Sequence, residues 1–253
     1  MTRGGGGAGP SRRIPFSRDT LAGDSLDAAR ALIGARLVRE DPGGRCRVGR
    51  IVEVEAYIGE TDLASHARAG RTARNAPMFG APGTAYVYLV YGMYHCLNVV
   101  TESVDRAAAV LVRAVEPLEG EAAMRAARLE LARARGGRGA GADAIAGEAG
   151  RLSRLPVHRL AAGPGLVAAA FSIDRSATGV DLCDPGGGLR LEEAPAGEPG
   201  LPVMATPRIG IRYAGEPWVS VPWRFLDPRS PAVSGPPTVR RDRPTAATRR
   251  DAS

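Results

Sequence analysis

Lysine is missing from this chain: all 34 of its basic residues are arginine. Without a side-chain amine there is no lysine nucleophile and no lysine Schiff base, so any mechanism that needs one is excluded. Cysteine is also scarce. Cys46, Cys96 and Cys183 are odd in number and widely spaced, with no CxxC pair and no Cys/His pattern at zinc spacing. The three histidines, His66, His95 and His158, are scattered as well. Reduced thiols, no metal site and no cofactor are therefore expected. No apolar run approaches the roughly 18–20 residues that a membrane span needs. The Gly- and Arg-rich start has no apolar stretch of the kind a secretory signal carries. A soluble, cytoplasmic protein without membrane contact is the expectation.

Aromatic residues make up only 5% of the chain, so their distribution is informative. Four of the six tyrosines, Tyr86, Tyr88, Tyr91 and Tyr94, fall within nine positions. Just upstream runs an acidic strand pattern, Arg50-Ile51-Val52-Glu53-Val54-Glu55-Ala56-Tyr57. Flat rings beside a carboxylate suggest a pocket that stacks a planar base and does acid–base chemistry on it. The net charge of +7 is compatible with a solvated basic surface and equally with a polyanionic partner, because clustered cations release counterions from nucleic acid.

With 253 residues the chain is long enough for a substantial core. Composition divides it into a Gly-rich tail at 1–12, one domain at 13–230, and a Pro- and Arg-rich tail at 231–253; both tails are expected to be disordered. A helix fits Ser25 to Ile33, capped by Ser25 or Asp24 and stopped by Gly34. Strands are expected at about 35–40 and 47–56, joined by Pro42-Gly43-Gly44. Residues 58–84 read as a long loop with short helical turns, and a loop of that length inside a domain tends to be functional. Two strands fit 85–100, with Gly92 making a tight turn that leaves Val90, Tyr91 and Met93 at an exposed tip. A strand at 108–115, a helix at 118–135 after Pro117, a Gly/Ala linker at 136–150 and a helix near 163–171 follow. Short strands near 188–193, 205–213 and 222–227 complete the reading. Without regular βαβ repeats this predicts a mixed α/β (α+β) fold around a largely antiparallel sheet with peripheral helices.

Five segments stand in series: Arg50 to Tyr57; Asp62-Leu63-Ala64-Ser65-His66; Arg74-Asn75-Ala76-Pro77-Met78-Phe79; Pro82 through Tyr86, Tyr88, Tyr91, Gly92, Tyr94 and Cys96 to Asn98; and Val110-Leu111-Val112-Arg113-Ala114-Val115-Glu116-Pro117. Together with Gly163-Pro164-Gly165, Pro207-Arg208-Ile209-Gly210-Ile211 and Pro222-Trp223-Arg224-Phe225, this series resembles the alkyladenine (methylpurine, 3-methyladenine) DNA glycosylase family over about residues 14–235. The resemblance implies a single domain with a curved antiparallel sheet and a protruding β-hairpin that enters the DNA minor groove. It also implies excision of damaged purines (3-methyladenine, 7-methylguanine, hypoxanthine, ethenoadenine) from duplex DNA, and in a bacterium association with the nucleoid.

On this resemblance Tyr57, His66 and Tyr88 stack the extruded base, His66 also donating a hydrogen bond to it, and Asn98 lies at the pocket floor. Any one of these rings alone would more often belong to a core; three beside a carboxylate reverse that weighing. Stacking a base on an aromatic ring is worth about 1–3 kcal/mol, and an alkylated, positively charged ring gains further from a π face. Glu55 is the candidate general base for an attacking water, and Arg113 the residue that holds it ionised. Glu53 shares a strand face with Glu55 and is read as supporting. Extrusion of a nucleotide costs a few kcal/mol, and Tyr91 at the hairpin tip is the candidate plug for the gap. Arg68, Arg71 and Arg74, with Met78 and Met93, are candidate DNA-backbone contacts, although ordinary surface charge and a buried methionine are the plain alternatives. Arg208 and Arg224 carry no assigned role. His95 and Cys96 read as packing residues.

The absence of lysine bears on the mechanism here, because strand nicking by glycosylases generally proceeds through an amine–sugar imine. A monofunctional enzyme that uses water, works as a monomer and leaves an abasic site is expected. Leu166 stands where many members of the family have lysine, so one contact is expected to be lost. Two other readings keep the same residues: a non-catalytic module that binds distorted duplex, and an RNA-contacting accessory domain. The ranking of lesions is open at this level.

Overall fold

The computed structural model describes residues 13–90, 92–136 and 141–235. The predicted tail at 1–12 and most of that at 231–253 lie outside the described residues, as do Tyr91 and residues 137–140.

The frame is one antiparallel sheet of eight strands. Strands β1 (Arg36–Glu40), β2 (Cys46–Ile58), β3 (Ala85–Val90), β4 (Tyr94–Val100), β5 (Ala108–Glu119) and β6 (Leu189–Glu192) run in the order β3-β4-β5-β2-β1-β6. Two short strands, β7 (Met204–Thr206) and β8 (Arg224–Leu226), join at β2 through β8. Every pairing is antiparallel, and the mixed α/β architecture expected from the sequence is the one observed. Among the described residues five α-helices accompany it: α1 (Arg18–Ala22), α2 (Ser25–Leu32), α3 (Glu121–Gly136), α4 (Ala142–Arg154) and α5 (Pro164–Ala170).

Strand alternation sorts the sheet into two chemically different faces. Successive side chains point to opposite sides, so residues two apart share a face. Val54 and Ala56 of β2, Ala85 and Val87 of β3, Leu97 and Val99 of β4, and Val110 and Val112 of β5 enter the main core. There they meet Ala28, Ala29 and Leu32 of α2 and Val167 and Ala168 of α5. Each fully buried valine or leucine among them contributes about 1.5–3 kcal/mol. The intervening positions are Glu53, Glu55, Tyr57, Tyr86, Tyr88, Asn98 and Arg113. They take the other face, over which the 59–84 loop folds with 3-10 turns at His66–Ala69 and Ala76–Phe79.

Helix α2 follows the expected pattern, with the Asp24 carboxylate accepting from the backbone N–H groups of Leu26 and Asp27. Three expectations need correction. The helix expected from 118 begins only at Glu121, because Leu118 and Glu119 still belong to β5 and Glu119 pairs with Val48. The 136–150 linker is largely the start of α4. Its alanines favour helix, and the Arg125 guanidinium on α3 caps its far end by donating to the Leu152 and Leu155 carbonyls. The strand near 205–213 stops at Thr206, before Pro207, and residues 212–214 form a 3-10 turn. The packed chain also runs past 230: Ala232 is fully buried against Val52 and Ala114, and Ser234 is buried as well.

Gly120 turns the chain from β5 into α3 with φ at 79°, and a Cβ there would come within 2.2 Å of the Cys46 carbonyl oxygen. Gly120→Ala is expected to lower unfolding free energy by about 2–4 kcal/mol, from left-handed strain plus backbone overlap. Urea denaturation measures this, and an unchanged midpoint would remove the constraint.

Candidate active site

On the polar face of the sheet the sequence places two carboxylates two residues apart on β2, and both are fully buried. An unpaired buried carboxylate costs several kcal/mol, so what surrounds this pair decides what it can do. Glu53 is saturated. Its Oε1 accepts from Arg113 Nε at 2.9 Å, Arg224 Nε at 2.7 Å and the Ser234 hydroxyl at 3.0 Å, and its Oε2 accepts from the Ser234 N–H at 2.6 Å. Glu55 receives three bonds: Oε1 from the Ile209 N–H at 2.7 Å, and Oε2 from the Tyr57 hydroxyl at 2.9 Å and Arg113 Nη1 at 3.1 Å. An ionised carboxylate offers about four acceptor positions. Among the described residues Glu53 receives four bonds, matching that number, and Glu55 three, so Glu55 has one more acceptor position to offer.

Arg113 on β5 bridges the two acids and also donates Nη2 to the Ser234 hydroxyl at 3.2 Å. Burial works against its charge, but the Glu55 and Glu53 carboxylates outweigh burial and raise its pKa above the ordinary guanidinium value. Arg224 completes the scaffold through Thr206 Oγ1 and the Ser234 carbonyl.

Tyr57 joins this network to a pocket. Burial first, then the neighbouring Glu55 charge, hold its phenol well above the usual range, so it stays a donor to Glu55. Beneath its ring, at 4.7 Å, lies the Arg208 guanidinium, which forms a bidentate, fully buried pair with Asp62 at 2.6 and 2.9 Å. Tyr57 then lines the pocket together with Ala64, His66, Met78, Tyr86, Tyr88, Asn98 and Tyr213. The cavity amounts to about 50 Å³, well below the roughly 300–1,000 Å³ of small-ligand sites. Glu55 therefore stands one hydrogen bond behind the pocket wall.

His66 occupies the mouth. Its ring meets Tyr88 edge-on with centroids 4.4 Å apart, and its Nδ1 is 3.1 Å from the Tyr86 hydroxyl. Loss of solvent on its inner side, with Arg74 and Arg68 nearby, pushes the imidazole down to about 4, so it is neutral at pH 7. Asn98 is buried at the floor, its Nδ2 donating to the carbonyls of Tyr86 at 3.0 Å and Cys96 at 3.3 Å.

The predicted residues Glu55, Arg113, Tyr57, His66, Tyr88 and Asn98 are thus brought together. Tyr91 lies outside the described residues; next to it Gly92 has φ at 68° and Met93 is 54% exposed at the hairpin tip. Arg68, Arg71 and Arg74 are all exposed. Arg68 donates to the Leu63 carbonyl and lies over the Tyr213 ring; Arg71 pairs with Asp105 and lies over Phe79. Met78 corrects its expectation: it is 2% exposed, set by the Ala76–Phe79 turn under the pocket, and offers no surface to a DNA backbone. Six contributors have no role in the sequence reading. Tyr86 was legible, since it shares a strand face with Tyr88. Arg208 and Arg224 now have partners, Asp62 and Glu53. Ser234 and the Ile209 N–H left no signal, one lying in an apparent tail and the other being backbone. Tyr213, whose hydroxyl donates to the Ala64 carbonyl at 3.0 Å, stands outside the tyrosine cluster. Among the described residues no group of three or more His, Cys, Asp or Glu side chains could hold a metal ion, and no helix is long and apolar enough to cross a membrane.

The family profile for methylpurine-DNA glycosylase matches residues 19–231. A protein of Methanocella arvoryzae, named as a candidate 3-methyladenine DNA glycosylase, is 46% identical over 217 residues, covering 86% of this chain and 94% of its own. Proteins of the same name from Myxococcus xanthus and Streptomyces avermitilis are 43% and 41% identical, over 86% and 88% of this chain and 92% of each relative.

The His66 environment gives a direct test. Between pH about 4 and 6.5 the unfolded chain binds a proton at this position that the folded chain does not. The His66 contribution to stability therefore rises with pH through that window and is complete above it. An NMR titration of the imidazole is expected to show a midpoint near 4; a midpoint at 6.5 would show a ring in open solvent.

Proposed function

The chain belongs to the methylpurine-DNA glycosylase family, and from that premise we propose that it is a monofunctional DNA glycosylase. It flips alkylated or deaminated purines out of duplex DNA and hydrolyses the N-glycosidic bond with an activated water, leaving an abasic site. The observation that carries this reading is the position of Glu55: a buried carboxylate with one free acceptor site, a hydrogen bond away from a pocket walled by Tyr57, His66 and Tyr88.

In this reading the extruded purine stacks among the three rings, with Asn98 at the floor crowding an exocyclic amine. A neutral His66 suits an alkylated purine that carries positive charge, because a protonated imidazole would repel it. Cleavage sends the electron pair of the C1′–N bond into the departing base, and positive charge develops on the sugar. The Glu55 carboxylate stabilises that charge and takes a proton from water as its oxygen bonds to C1′. Arg113 keeps Glu55 oriented, and Glu53 positions Arg113. Tyr91 fills the gap in the duplex, with Arg68, Arg71, Arg74 and Met93 along the backbone. The lack of any lysine supports water as the nucleophile and no strand-nicking step.

Glu55→Gln is expected to reduce single-turnover base release about 10²–10⁴-fold while binding to an abasic-analogue duplex stays within about threefold. Unchanged release would overturn the role of Glu55; absence of release by the wild type from duplexes each bearing one modified purine would leave a binding module instead. Borohydride treatment during turnover is expected to trap no covalent adduct, and a trapped one would refute the water mechanism.

A further inference from the structure

Beside the root of the hairpin, α3, α4 and α5 border a cleft of about 160 Å³ lined by Tyr94, Arg128, Arg135, Glu148, Arg151 and Leu166 among others. The surrounding segment, 121–159, carries eight arginines against four carboxylates. Most of this charge is already committed. Arg128 is buried and donates to the Leu160 and Arg159 carbonyls. Arg151 makes a two-pronged pair with Glu148 at 2.6 and 2.7 Å.

Arg135 differs from both. It is exposed, and among the described residues it makes no hydrogen bond or ion pair. Its position is nevertheless defined, because the guanidinium lies 3.7 Å above the centroid of the Tyr94 ring. That ring is fixed in turn. Tyr94 is the first residue of β4 and pairs with Val90 to close the hairpin. Gly165 of α5 packs so tightly against it that a Cβ would come within 2.7 Å of the ring. A stacked guanidinium keeps its in-plane N–H fork free, and that fork matches a phosphate.

We propose that Arg135, held on Tyr94, is a DNA-phosphate contact beside the hairpin, made by the α3–α4 pair to duplex flanking the lesion. The inference rests on the DNA-glycosylase reading for its partner but not on the chemistry at Glu55. It also gives the helical pair a task in place of a linker's. Leu166 of α5 lines this same cleft and brings no charge to it.

The test is binding to an undamaged duplex and to one bearing hypoxanthine, by fluorescence anisotropy from 50 to 200 mM salt. Loss of one phosphate contact lowers the slope of log K against log salt by about 0.9. Arg135→Ala is expected to show that reduction for both duplexes, with affinity weakened about three- to tenfold at the low-salt end. Single-turnover release at saturating duplex is expected to stay within about twofold, since binding rather than the chemical step is touched. Arg135→Lys keeps the charge and is expected to retain the wild-type slope. A wild-type slope and affinity in Arg135→Ala would overturn the proposal, as would a loss in Arg135→Lys equal to that in Arg135→Ala. Undamaged duplex requires neither flipping nor hydrolysis. A wild type that binds with the expected salt dependence of Arg135 but releases no base would sink the catalytic reading and leave this contact standing.

Discussion

Two buried carboxylates on one strand face, bridged by one guanidinium, impose the condition that the rest of this structure meets. Glu53 and Glu55 are both fully buried, and each would cost several kcal/mol if left unpaired. The fold answers with donors drawn from four distant parts of the chain: Arg113 from β5, Arg224 from β8, Ser234 beyond it, and the Ile209 N–H from the 207–211 loop. The two acids leave this arrangement with different capacities. A saturated Glu53 fixes Arg113, and Arg113 with Tyr57 fixes Glu55, whose remaining acceptor site makes it the one of the pair able to take up a water. Identical side chains two residues apart thus differ in their partners, and the proposed reaction assigns the chemistry to Glu55 and the positioning to Glu53.

Beneath this lies the period of two. One face of each central strand feeds the apolar core against α2 and α5, while the other carries Glu55, Tyr57, Tyr86, Tyr88, Asn98 and Arg113. Core and site are two sides of one sheet, so the packing that stabilises the protein also sets the distances in the pocket. The loop from 59 to 84 can then be irregular at little cost, because its anchors are polar and specific. Asp62 is clamped by Arg208, and Asn75 donates to the carbonyls of His66 and Gly70 at 2.9 Å. This holds His66 over the rings.

The legible part of the sequence was the part governed by local pattern. Alternation around Tyr57, Tyr88 and Arg113 gave the strands and their shared face, and the Asp24 cap marked α2. Composition misleads where glycine reads as a breaker: Gly147 and Gly150 sit inside α4, whose stability comes from packing on α3 and from Arg125 at its end. It misleads again at 231–235, where a Pro- and Ser-rich stretch reads as a tail, yet Ser234 supplies two of the four donors to Glu53. Such contacts join residues up to 181 positions apart, and nothing in a local window encodes them. Met78 stays open in the sequence between a DNA contact and a buried residue, and the loop folding back over the sheet decides for burial.

The central claim is that Arg113 acts on the reaction through Glu55 and not independently of it. A double-mutant cycle on single-turnover base release, with Glu55→Gln, Arg113→Met and the pair, tests it most directly. Residues that act as one unit are grossly non-additive. The account predicts that the double variant releases base no more than about threefold more slowly than Glu55→Gln alone. Rate losses that simply multiply would contradict it.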